Sequence, residues 1–329
     1  MKQKIIIAFS VVLLLFAIFL IARDLFHSSH SMTDASCCGD DFTSAKQVDS
    51  TLIGYKRIRI IETGLKNLTG IAVNEKGDIF ACGNMQVSIF DAAGTKTKTF
   101  NIDSVPGCIA LSGNDLYLGS GSHVIHYDTI GRKLAVWKPY NNEGYIASLA
   151  VNGKYIYAAD ALNKRVLKYS PDGLLLQDIG KKDSITGAPG FVLPSLYFDI
   201  AFGSFNDLWV ANTGRLQIEN YTSNGHFQSS WGSSSFDNSG FGGCCNPAHF
   251  AILPDGGFVT YEKGIDKIKV FDPTGQFLSI VAAAGSFKGN SDFQLGNNHL
   301  VKDIAIGING SIYVLDAYNQ INVFRKKNL

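Results

Sequence analysis

Cys244-Cys245 lies in the loop Gly240-Phe241-Gly242-Gly243-Cys244-Cys245-Asn246-Pro247-Ala248-His249, and a second adjacent pair, Cys37-Cys38, precedes Gly39. Four of the chain's 6 cysteines are in these two pairs. Outside the cytoplasm such pairs are expected to form disulfides, within each pair or from one pair to the other. A bridge between neighbours closes a very small, strained ring that is easily reduced, which suits a redox role. Two other chemistries compete. Cys244 and Cys245, with His249 or His299, could hold copper or zinc, or the four paired cysteines could hold an iron-sulfur cluster. The usual spacings for such sites, with two or more residues between cysteines, are absent.

A second set is defined by position. Gly70, Cys108, Ser148, Asp199, His249 and Asp303 each stand immediately before an apolar-Ala pair, 38 residues apart at the first interval (70 to 108) and 54 at the last (249 to 303). Cys245 and His299 stand a few residues before the fifth and sixth of these. Carboxylate, imidazole and thiolate are metal ligands and acid/base groups, so Asp199, His249 and Asp303 could hold zinc or calcium, polarise a carbonyl or activate water. The competing reading is a polar, water-filled channel in which the aspartates accept backbone N–H groups between neighbouring units.

These residues need elements that bring them together, and the sequence repeats such an element. Each copy is a short apolar run, a turn, an aliphatic-aromatic run, a polar break and a run ending in an aromatic residue: Gly70-Ile71-Ala72-Val73, Ile79-Phe80-Ala81 and Val87-Ser88-Ile89-Phe90 in the first, Asp303-Ile304-Ala305-Ile306, Ile312-Tyr313-Val314 and Ile321-Asn322-Val323-Phe324 in the sixth. Short β-branched and aromatic runs bounded by turn residues are strands, and a unit of this length is one four-stranded antiparallel sheet. Such sheets bury their faces by stacking around an axis, so the fold class is all-β, a six-bladed β-propeller. Side chains alternate along a strand, so equivalent positions point to one place, the central channel. The sixth copy lacks its outermost strand. The alternating segment 55–61 is predicted to supply it and to close the ring, removing an open sheet edge.

Lys2 and Lys4 precede an apolar stretch from Ile5 to Ala22 broken only by Ser10, long enough to cross a bilayer as a helix. A cleaved signal peptide is the alternative, with a shorter apolar core and a small-residue cleavage site. The expected organisation is a transmembrane signal anchor at 1–23, a Ser/Thr/Asp-rich stalk at 24–50 carrying Cys37-Cys38, and the propeller at 51–329. The lysines favour a cytoplasmic amino end and an extracytoplasmic propeller. Net charge is +1 and the basic residues are scattered, which excludes the basic footprint of a nucleic-acid binder.

The stretch Ile156-Tyr157-Ala158-Ala159-Asp160-Ala161-Leu162-Asn163-Lys164-Arg165-Val166-Leu167-Lys168-Tyr169, followed by Pro171-Asp172-Gly173, resembles an NHL repeat. Asp316-Ala317-Tyr318-Asn319 and Ala211-Asn212 keep parts of the pattern, and the likeness covers residues 55–329. It implies a propeller of a kind that includes protein-binding and sugar-binding modules as well as metal-dependent lyases and esterases. Two functions follow. One is a membrane-tethered binding module that docks a protein or small ligand at its loop face, with the cysteine loop as contact or redox element of an electron-transfer system. The other is a metal-dependent lyase or hydrolase. Binding is preferred because only one histidine stands among the six aligned residues and no further base accompanies it.

Overall fold

The structure, a computed structural model, describes residues 43–287 and 299–327. The anchor at 1–23 and the Cys37-Cys38 pair lie outside the described residues. Among the described residues no helix is long and apolar enough to cross a membrane.

Six four-stranded antiparallel sheets form the blades of a propeller. Their innermost strands are Leu68–Val73, Cys108–Ser112, Ile146–Asn152, Ile200–Phe202, His249–Ile252 and Val301–Ile306. The apolar pattern explains the arrangement. Second strands such as Ile79–Gly83, Phe258–Glu262 and Ile312–Asp316 are buried at every residue, while the outermost strand Lys96–Asn101 is almost wholly exposed. Aromatic side chains fill the seams between blades: Tyr157 of blade three packs in one cluster with Phe191, Phe198 and Tyr221. Burying each such side chain contributes about 1.5–3 kcal/mol, enough to fix how one sheet faces the next.

The ring closes as the sequence predicts. Tyr55–Glu62 pairs antiparallel with Gln320–Lys326, placing Tyr55 opposite Lys326 and Glu62 opposite Gln320. The Lys327 amide donates to the Gly54 carbonyl at 2.9 Å, and the Gly54 amide to the Ile280 carbonyl of blade five at 3.1 Å.

The two faces of the ring differ in their connections. On the lower face, where the innermost strands end, the same closed turn recurs: Asn74 to Asp78, Gly203 to Asp207, Leu253 to Gly257 and Gly307 to Ser311 each make a first-residue amide to last-residue carbonyl bond of 2.8–3.0 Å. On the upper face, where those strands begin, the inter-blade connections lengthen round the ring. Residues 102–107 and 137–145 are short, whereas 180–199 and 232–248 are long excursions, and the stretch between the strands ending at 282 and beginning at 301 is of similar length in sequence.

Candidate functional site

The aligned residues converge. Cys108, Ser148, Asp199, His249 and Asp303 all line a channel cavity of about 330 Å³, together with Thr69 and Lys302 near its upper mouth. Below them the channel wall turns apolar through Val73, Phe202, Ile252 and Ile306.

The two aspartates do the same thing in different blades. Asp199 Oδ1 accepts from the Ile200 amide at 2.9 Å and its Oδ2 from the Phe250 amide of blade five at 3.1 Å. Asp303 Oδ1 accepts from the Ile304 amide at 2.8 Å and its Oδ2 from the Ile71 amide of blade one at 2.8 Å. Each therefore bonds the next amide on its own strand and the equivalent amide on the next blade. The Ser148 hydroxyl of blade three adds a 2.5 Å bond to Asp199 Oδ1, so one carboxylate ties three blades. His249 Nδ1 stands 3.7 Å from Asp199 Oδ2.

Among the described residues no group of three or more His, Cys, Asp or Glu is placed to hold a metal. Asp199, His249 and Asp303 share the cavity without forming a coordination set. The thiol of Cys108 does not serve the channel either; it points into the seam and donates to the Ile146 carbonyl at 3.6 Å, and burial pushes it well above the ordinary thiol range. Burial and the Asp199 charge raise the Asp303 carboxyl to about 7 against the opposing pull of His249. The cause is loss of water around the charged form.

A second cluster sits on the upper rim between blades four, five and six. The Tyr197 ring lies edge-on to His249 at 5.7 Å and to His299 at 5.6 Å between centroids, and the Lys263 ammonium lies 5.2 Å from the same ring. Beside it Cys244 is exposed and Cys245 is 4% exposed, both as free thiols. The disulfide expected within the loop pair or between it and the stalk pair is not drawn in this structure, where the four described cysteines carry free thiols, and the stalk pair lies outside the described residues. Burial pushes the Cys245 thiol up, while the Ser195 hydroxyl and the Lys263 charge pull it back.

The dithiol loop is held from below. Glu262 Oε2 accepts from the Gly242 amide at 2.7 Å. Asn246 donates to the Gly242 carbonyl at 2.6 Å and the Lys263 carbonyl at 3.1 Å, and accepts from the Lys263 amide at 2.9 Å. Glu262 and Lys269, both buried, form a 2.5 Å ion pair, and the Lys269 ammonium also donates to the Gly240 carbonyl. Burial lifts the Glu262 carboxyl and depresses the Lys269 ammonium, each opposed by the other's charge.

Sequence reading missed Ser195, Tyr197, Glu262, Lys263 and Lys269. The signal for Glu262 was present, because it occupies the strand-end position of the Ala-Asp pair in the NHL-like repeat. At that position Asp160 accepts from the Tyr145 amide at 3.0 Å and Asn212 from the Val192 amide at 2.9 Å. In blades three, four and five the second strand thus ends in a polar residue that pins the connection arriving from the previous blade.

No protein-family model matches the chain. No curated protein matches it. Solved structures do. A streptogramin B lyase is similar with a TM-score of 0.58 at 14% identity, over 83% of this chain and 98% of that one. Virginiamycin B lyase from Staphylococcus aureus is similar with a TM-score of 0.53 at 14% identity, over 83% and 99%. A chain of the mitotic checkpoint complex is similar with a TM-score of 0.56 at 12% identity, over 86% and 95%. At these identities the likeness shows the six-bladed propeller fold alone.

Proposed function

We propose that this chain is a membrane-tethered, extracytoplasmic binding module whose upper rim at blades four to six docks a partner protein or small ligand, with the Cys244-Cys245 loop as its contact or redox element. One observation carries the reading. All four carboxylate oxygens of Asp199 and Asp303 already accept backbone amides, which leaves the channel built for holding blades together rather than for gripping a cation. The long connections and the thiols meanwhile lie on one sector of the rim. The tether rests on the apolar segment 5–22, and the partner class is consistent with a propeller found in a multiprotein checkpoint assembly.

A second reading, a lyase or hydrolase working in the channel, draws support from the Asp303 carboxyl at about 7 facing the same cavity as His249. A proton donor tuned near neutrality is what acid catalysis requires, and two of the similar structures are lyases. Metal analysis of the intact purified chain separates the two. Substoichiometric zinc, calcium, copper and iron agree with the binding module; stoichiometric metal lost in His249→Ala moves the function into the channel, and visible copper or iron-sulfur absorption lost in a Cys244→Ser, Cys245→Ser double variant moves it to a metallated loop.

A further inference from the structure

The dithiol loop is built for more than a turn. Cys245 adopts φ 60°, the left-handed region that a non-glycine residue enters at a cost on the order of 1 kcal/mol, and it does so between two anchors. On one side Glu262 holds Gly242, and on the other Asn246 makes three bonds to Gly242 and Lys263. The result is an asymmetric pair of adjacent thiols, one in solvent and one buried, near the Ser195 hydroxyl, whose oxygen is buried without a well-directed hydrogen bond of its own. The Lys263 charge stands by the buried member.

We propose that Cys244-Cys245 is a thiol–disulfide exchange site for an external disulfide, with Cys244 as the attacking thiol and Cys245 as the resolving one. The assignment rests on the binding reading above and names the chemistry of the same rim. Cys244, as thiolate, attacks one sulfur of the incoming disulfide; that S–S bond breaks, a mixed disulfide forms on Cys244, and the first thiol leaves with a proton from water. Cys245 then gives up its proton and attacks the Cys244 sulfur, closing the bridge between neighbours and releasing the second thiol. Two electrons pass from the pair to the external disulfide, which is reduced to two thiols. Because the bridge between neighbours is strained, it is readily reduced by an external thiol, which resets the pair. Exposure assigns the roles: an incoming disulfide reaches Cys244, while Cys245 is reached only by the sulfur beside it.

The test uses the full-length chain in detergent with Cys37 and Cys38 both replaced by Ser and oxidised glutathione as the disulfide. Mass spectrometry of the loop is expected to show glutathione on Cys244 together with a bridged form lacking two hydrogens. Cys245→Ser is expected to accumulate the Cys244 adduct at least about tenfold over its parent, and Cys244→Ser to leave Cys245 unmodified over the same period. Equal adduct in Cys245→Ser and its parent, modification of Cys245 in the absence of Cys244, or an inert pair would each overturn the proposal. Photo-crosslinking from position 196 on the same rim, measured in the Cys244→Ser variant, distinguishes this failure from failure of the binding reading, since it reports docking without thiol chemistry.

Discussion

Blades one to three and blades four to six are built on one repeat but use it differently. In the first half the channel column reads Gly70, Cys108, Ser148, and the connections 102–107 and 137–145 are short. In the second half the column reads Asp199, His249, Asp303, and the connections 180–199, 232–248 and 283–300 are long. The buried glutamates and lysines follow the same division, with Glu219, Glu262, Lys267 and Lys269 all in blades four and five, whereas buried aspartates occur in both halves, at Asp128, Asp160 and Asp316. The repeat serves as plain scaffold on one side and as a polar platform on the other, which places the variable chemistry where strand pairing least constrains it.

The sharpest way to break this contrast is at the strand-end position that both halves share. Glu262→Ala leaves the Lys269 ammonium buried without its counter-ion and is expected to cost about 3–5 kcal/mol in denaturant unfolding of the full-length chain. The same change at Asp160 in blade three removes a hydrogen-bonded acceptor and is expected to cost about 1–3 kcal/mol. Equal losses would mean that blade five is not specially built.

The Asp303 carboxyl gives a pH signature. Its folded value of about 7 lies above the ordinary 3.8, so its contribution to stability is full below about pH 3.8 and disappears as pH rises through 7. The wild-type chain is expected to lose about 2–4 kcal/mol from this group across that window, and Asp303→Asn to flatten that limb of a stability–pH curve. Smaller still is the contrast across the seam between halves. Asp199→Ala removes the acceptor of bonds from blades three, four and five and is expected to cost about 2–3 kcal/mol, against about 1 kcal/mol for Ser148→Ala, which removes one donor.

The ring itself was legible in the sequence because each blade repeats the period-two pattern and the same turn chemistry. Even the closing strand 55–61 could be read, from an alternating segment at one end and a blade one strand short at the other. The convergence of Asp199, His249 and Asp303 followed from that equivalence. Their use did not, because an aspartate that accepts two amides and one that binds a cation look alike in sequence. The rim was harder still. Ser195 and Tyr197 come from a connection with no repeat, and Lys263 departs from the Ala161 equivalent in the repeat, so only the folded backbone brings them to Cys245.

The claim that the second half of the upper rim is the working surface is tested most directly by photo-crosslinking in cells of the native host. A benzophenone side chain is placed in turn at positions 196 and 236, exposed on the long connections, and at positions 85 and 140, exposed on blade one and before blade three. A discrete adduct from 196 and 236, with none from 85 and 140, is the expected result. Adducts from 85 and 140, or the same pattern from all four positions, would contradict it.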